Sequence, residues 1–133
     1  STASFAGAFG MVPNPVLMKT PSALIAEIWM TSLLVFMIFA IGDSDKTVPP
    51  EAGPALVGAT VTALVAVFGP VTGCGMNPAR DLGPRLVTLC AGWGSAALTS
   101  GWIYTVGPVI GAVLGGAVYK AIFAKDAKYP EIL

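Results

Sequence analysis

The 133 residues contain no histidine, which removes the side chain most used as general base and metal ligand near neutral pH. Cysteine is almost as scarce. Cys74 and Cys90 lie in apolar or glycine-rich surroundings, far from a CxxC or Cys/His ligand spacing, so neither a disulfide framework nor a metal site is expected. Charge is thin, at 11% of residues, and balanced, with lysine plus arginine totalling 7 and aspartate plus glutamate totalling 7. That balance gives no electrostatic footprint for nucleic acid as a partner. No nucleophile–base pair is readable, so an enzyme is not expected and no cofactor is implied. The opening STASFAGAFG lacks a charged stretch ahead of an apolar core, so no cleavable signal peptide is expected there.

What is abundant is apolar surface. At 55% hydrophobic residues, a chain of this length has too little polar surface for a water-soluble domain, and its expected partner is the lipid bilayer. The charges gather in short connecting stretches and near the C-terminus, leaving long apolar tracts between them.

Those tracts predict an all-α membrane protein of three transmembrane helices plus one re-entrant half-helix. Residues 1–21 read as an extramembrane loop, since Pro13 and Pro15 bracket Asn14 and prevent a continuous helix. Ser22 can cap a span over 22–41, long enough at about 1.5 Å per residue to cross a core of roughly 30 Å. A connecting loop over 42–54 carries Gly42, Asp43, Asp45, Lys46 and the Pro49-Pro50 pair. The second span, over 55–70, carries Ala55, Ala59 and Ala63 at the four-residue spacing that lets membrane helices approach closely. Residues 71–89 are apolar but broken by glycine, proline, Asp81 and two arginines, and read as re-entrant. A small-residue linker over 90–101 leads to the third span over 102–123, where Trp102 and Tyr104 are expected as interfacial anchors. Gly107, Gly111 and Gly115 form a GxxxGxxxG face for helix packing. Lys120, Lys125 and Lys128 cluster before and within the tail, 124–133, which the positive-inside rule places in the cytoplasm, with the initial loop and the re-entrant segment outside.

The chemistry concentrates in TGCGMNPARDLGPR, from Thr72 to Arg85. Asn77 is a good N-cap, Pro78 suits the first helical position, and Ala79-Arg80-Asp81-Leu82 can continue as a short helix. With its oxygen engaged in capping, the Asn77 amide keeps its NH₂ as a fixed donor for a passing water or hydroxyl. Gly73 and Gly75 allow an extended backbone whose carbonyls line a path, tolerable at membrane depth only where they face water or protein. The positive end of the helix dipole and the Arg80 charge should repel cations and hydronium. Capping alone would explain Asn77, and loop carbonyls alone would explain Arg80. An arginine within the membrane nevertheless favours a functional site. Glu27, the acid within the first span, needs donors or a counter-charge. Cys74 has the usual fate of a free cysteine, a small buried residue, as its alternative reading; if it lines the path, thiol reagents should block it.

Asn77-Pro78-Ala79-Arg80 preceded by TGCGM resembles the second asparagine–proline–alanine box of the aquaporin, or major intrinsic protein, family. The likeness extends over essentially the whole chain: a span with a buried glutamate, a second span, the box and a glycine-rich last span come in the family's order. The resemblance implies that Asn77 donates to solute at the pore centre, that Pro78 and Ala79 hold the half-helix turn, and that Arg80 belongs to a selectivity filter. By the same resemblance the filter positions of the preceding helix and the loop fall on Val65 and Cys74, and Glu27 braces the re-entrant backbone, with Asp81 as a further supporting residue. Val65 stands where water-selective members typically have histidine, implying a wider, more apolar filter. Asp81 after Arg80, with Gly69-Pro70 and Asp81-Leu82-Gly83-Pro84, resembles the glycerol-facilitator branch, whereas Cys74 is more similar to water channels.

The implied function is a passive channel for water and small uncharged solutes such as glycerol, excluding ions and protons. The family builds its pore from two inverted repeats, and one repeat is present here. The expectation is therefore a C-terminal half completed by an N-terminal half, with complete protomers forming a homotetramer in the plasma membrane. The alternatives are a non-conducting structural subunit of a membrane complex and a water-selective channel.

Overall fold

A computed structural model describes residues 7–43 and 48–123. Asp45, Lys46, Lys125 and Lys128 lie outside the described residues, and with them most of the charge pattern behind the orientation expectation.

The described residues form four helices joined by short irregular stretches. Helix α1 runs Thr20–Gly42 and is unbroken by any charge except Glu27. It starts earlier than the sequence suggests. Lys19 occupies the capping position without a side-chain bond, and Pro21 in the first turn does the starting, its fixed φ already being helical. Ser22 lies inside the first turn rather than ahead of it. A single tight turn, Pro50–Ala52, leads into α2, Gly53–Thr72, which contains Pro70 near its end and is closed by Gly73 in the left-handed conformation (φ 84°). Helix α3 is the half-helix, Pro78–Thr88, and α4 runs Gly101–Phe123. The segment expected as a linker is itself coiled: irregular helical turns occupy Leu89–Trp93 and Gly94–Leu98, broken where Gly92 takes φ 87°.

The stretches Thr20–Gly42, Pro50–Thr72 and Gly101–Phe123 are each 23 residues long and apolar enough to cross a membrane. At 1.5 Å per residue each reaches about 35 Å, more than a hydrocarbon core.

The most extensive helix pair is α1 with α4; α2 packs more lightly on α1, and α3 sits against α4. Close approach of α1 and α4 depends on the glycine face. A Cβ on Gly107 would stand 2.9 Å from Glu27 Cβ, and one on Gly111 would stand 2.5 Å from the Ile28 carbonyl oxygen. A Cβ on Gly115 would run into the Ser32 backbone. Ser32 Oγ donates across this seam to the Gly111 carbonyl (3.0 Å) as well as to its own Ile28 carbonyl (2.8 Å). Small residues and an interhelical hydroxyl are how helices associate in lipid, where burial of apolar surface gives no preference for protein over solvent.

Two apolar clusters flank the re-entrant turn. One joins Met11, Ala23, Ile103 and Tyr104, and the other Met30, Leu64, Cys74 and Met76. Trp102 is exposed, whereas Tyr104, expected as a second anchor, turns inward. It is fully buried, and its hydroxyl donates to the Thr72 carbonyl at 2.5 Å. A buried tyrosine needs such a partner, and here it pins the end of α2 to α4.

Candidate functional site: an open trough

The five residues between α2 and α3 form no regular structure, and three of their backbones are left-handed: Gly73 (φ 84°), Cys74 (φ 56°) and, after Gly75, Met76 (φ 52°). Left-handed Cys74 and Met76 each cost about 1–2 kcal/mol relative to right-handed backbone. Surrounding bonds hold them there. Thr72 Oγ1 accepts from the Cys74 amide at 3.1 Å. The Glu27 carboxylate accepts from the next two amides, Oε1 from Gly75 at 3.1 Å and Oε2 from Met76 at 2.9 Å. Glu27 is fully buried, so these N–H groups answer the question its burial raised. Gly75 could be nothing else: a Cβ there would lie 2.6 Å from Tyr104 Cδ1 and 3.2 Å from Glu27 Oε2.

Asn77 then starts α3. Its extended backbone (φ −151°) and its side-chain oxygen cap the helix, accepting from Ala79 N at 2.9 Å and Arg80 N at 3.4 Å. Asn77, Ala79 and Arg80 are exposed and Pro78 half-buried, so the start of the half-helix is open.

It opens onto a trough of about 480 Å³. Cys74, Gly75, Met76, Asn77, Pro78 and Arg80 line one side, and residues of α1, α2 and α4, apolar except for Thr31 and with Val65 among them, line the rest. Val65 is 44% exposed. The structure thus brings Val65, Cys74, Asn77 and Arg80 to one trough. The Cys74 thiol itself is buried, directed at Met30 Sδ 3.6 Å away. Gly73 is not on the trough; it packs beneath Met11, whose sulfur a Cβ would meet at 3.0 Å.

Behind Arg80, the rest of α3 anchors the stretch before α1. Asp81 Oδ1 accepts from Met11 N at 2.6 Å, and Oδ2 pairs with Arg85 Nε at 2.6 Å. Arg85 spends three further donors on carbonyls of Ala97 (2.9 Å), Thr99 (2.7 Å) and Met11. Asp81 and Arg85 are both buried, a pair compensated by backbone on every side. Sequence pattern marks Asp81 as a supporting residue but misses the roles of Arg85, Met11 and Tyr104. The i,i+4 spacing of Asp81 and Arg85 is a usable signal for the pair. Nothing local marks Met11 or Tyr104.

A family model described as Major intrinsic protein matches residues 2–119. The chain belongs to the major intrinsic protein family. Among members, it is 42% identical to Aquaporin-9 of Mus musculus over 128 residues, covering 92% of this chain and 43% of that protein. It is 39% identical to the Propanediol uptake facilitator PduF of Citrobacter freundii over 128 residues, covering 91% and 47% respectively. Against the Glycerol uptake facilitator protein of Escherichia coli (strain K12) it is 35% identical over 127 residues, covering 90% and 45%. The solved aquaglyceroporin of Plasmodium falciparum shares the fold with a TM-score of 0.72 at 24% identity, over 90% of this chain and 49% of that one. The chain therefore spans slightly under half the length of the family members it matches, and its all-helical architecture corresponds to half of an aquaporin fold. As a member of this family with three spanning stretches, it is an integral membrane protein.

Proposed function

We propose that the trough is one wall of a passive pore for water and small uncharged solutes of the glycerol type, closed by an N-terminal half bearing the second half-helix. The carrying observation is the exposed start of α3. Asn77 spends its oxygen on capping, so its NH₂ is left for solute, beside the Arg80 guanidinium and opposite the apolar wall that includes Val65. A polyol fits that division, with hydroxyls toward the donors and carbon toward the valine. Val65 and Arg80 act as filter residues, Cys74 contributes backbone with its thiol turned away, and Pro78 and Ala79 hold the turn. The carbonyl of Gly75, on the trough wall, serves as an acceptor. Cations and protons are excluded by the Arg80 charge and by the positive end of α3, both effective where screening is poor. Similarity to members named as glycerol and propanediol uptake facilitators supports the choice of solute. Complete protomers assemble as tetramers, in the plasma membrane, with the C-terminus cytoplasmic.

The test is stopped-flow light scattering on proteoliposomes, with this chain alone and with a matching N-terminal half. Water and glycerol flux should appear with both halves present and fall at least about tenfold on Asn77→Asp, which places a charge where the neutral donor stands. Absence of flux from correctly folded paired halves would favour a structural subunit, and water flux without glycerol flux a water-selective channel.

A further inference from the structure

The seam between α1 and α4 has a second side. There Trp29, Ser32 and Phe36 of α1, with Gly115, Val118 and Ile122 of α4, line an apolar groove of about 540 Å³. Leu34 and Ile38, which α1 gives to the trough, lie about half a helical turn round from them. A half that closes the trough therefore leaves this groove uncovered.

The groove sits at membrane depth, and Trp29 stands within about 3 Å of the middle of α1. Tryptophan is favoured at membrane interfaces, where one end of the side chain is apolar and its N–H is wet. Here the side chain is 58% exposed and, among the described residues, its indole N–H has no acceptor. Hydroxyls in the spans meet the same difficulty internally: Thr31, Ser32, Thr60 and Thr62 each donate to the carbonyl four residues back, at 2.7–2.9 Å. An indole cannot fold back on its own helix in that way, and acyl chains offer it no acceptor.

We infer that the α1–α4 groove is a face covered by a neighbouring complete protomer, and that Trp29 donates there to an acceptor on that neighbour. The chemistry required of the neighbour is an apolar helix that carries, at the depth of Trp29, a hydroxyl oxygen or a backbone carbonyl left accessible by a small residue. Protomers related by an axis along the membrane normal keep every residue at its own depth, so the same mid-depth bond recurs at each contact round a closed ring. Such bonds hold membrane helices together where burial of apolar surface does not.

This inference rests on the tetrameric assembly proposed above and not on conduction, and one preparation separates the two failures. The two-half assembly is placed in lipid vesicles with Trp29 as its sole tryptophan, the others being replaced by phenylalanine, and is quenched with lipids brominated near the acyl-chain ends. Cross-linking reports the oligomeric state. Trp29 should be shielded in tetramers and quenched once dilution with lipid separates them into single protomers. Trp29→Phe keeps an aromatic ring in the groove but loses the donor, and should raise the tetramer dissociation constant roughly three- to fivefold for each contact broken, with the helix content of single protomers unchanged by circular dichroism. Quenching as strong in tetramers as in single protomers would overturn the groove as an interface and leave the tetramer standing. Shielding in single protomers as well would assign the groove to the N-terminal half, and an unchanged dissociation constant in Trp29→Phe would remove the donor role; either overturns the inference. An assembly that never exceeds one complete protomer would overturn the tetrameric reading and this inference with it.

Discussion

Glu27 shows how much one side chain can hold in a solvent that offers no hydrogen bonds. Its carboxylate answers two consecutive amides of the re-entrant turn and is itself fully buried. Glu27→Gln keeps the size but replaces one acceptor oxygen with a donor, setting an N–H against an NH₂. The expected loss is about 2 kcal/mol, and Glu27→Ala, which orphans both amides, should cost about twice that. Thermal unfolding in detergent, followed by far-UV circular dichroism, gives the order of the two variants. A Gln variant as stable as the parent would show that the turn is held by Thr72 and Tyr104 instead. At this same scale the sequence is only half legible. That Glu27 needs donors follows from its surroundings, but which donors follows from a fold that brings residues 48 and 49 positions apart together.

Between elements, the α1–α4 seam and the free surface of α3 make different demands on glycine. Gly111→Ala would push a methyl group to 2.5 Å from the Ile28 carbonyl and 2.8 Å from Thr31 Cβ, so the helices must separate along a line that also carries the Ser32–Gly111 bond. A loss of roughly 1–3 kcal/mol is expected. Gly83→Ala, in α3, meets nothing within 4 Å beyond its chain neighbours, and the gain in helix propensity is offset by the crowding a Cβ brings just before Pro84, so a change within about 1 kcal/mol of zero is expected. Measured side by side by thermal shift in detergent, the pair separates packing from propensity; equal effects would refute the close seam. This seam is legible in the GxxxGxxxG spacing, the three spanning stretches in their hydropathy, and the start of α3 in Asn77-Pro78. For Tyr104, local sequence offers only aromatic type and nearness to a helix end, which together suggest an interfacial anchor. Its burial comes from Thr72, 32 residues away, and contacts of that kind carry no periodicity to read. Met11 is hidden for the same reason, its backbone being tied to Asp81 and Arg85, 70 and 74 positions on.

The molecule as a whole is exposed along every span, and the flank that carries the trough also exposes polar groups. Ala55, Ala59 and Ala63 of α2 are exposed, as are Leu82, Leu86 and Val87 along α3, and the trough carries Asn77 and Arg80. Lipid can cover the apolar residues, but it offers nothing to an arginine or to an asparagine amide. Pairing with an N-terminal half should therefore raise the apparent melting temperature in detergent and protect the 79–87 backbone from deuterium exchange, both read against this chain alone. Equal melting and equal exchange with and without that half would mean that the flank is not its docking surface.

The bonds from Glu27 to the re-entrant turn also set an order of events during synthesis. Gly75 follows Glu27 by 48 residues, and at about 5–20 residues per second the first helix is made about 2–10 s before its carboxylate can meet either amide. Throughout that interval α1 carries an unanswered acid. Either it lingers beside the insertion machinery, where water reaches, or it enters the bilayer at a cost recovered only once the turn arrives. In the first case its release into lipid is timed by a segment not yet translated; in the second the same segment sets how long the cost is borne.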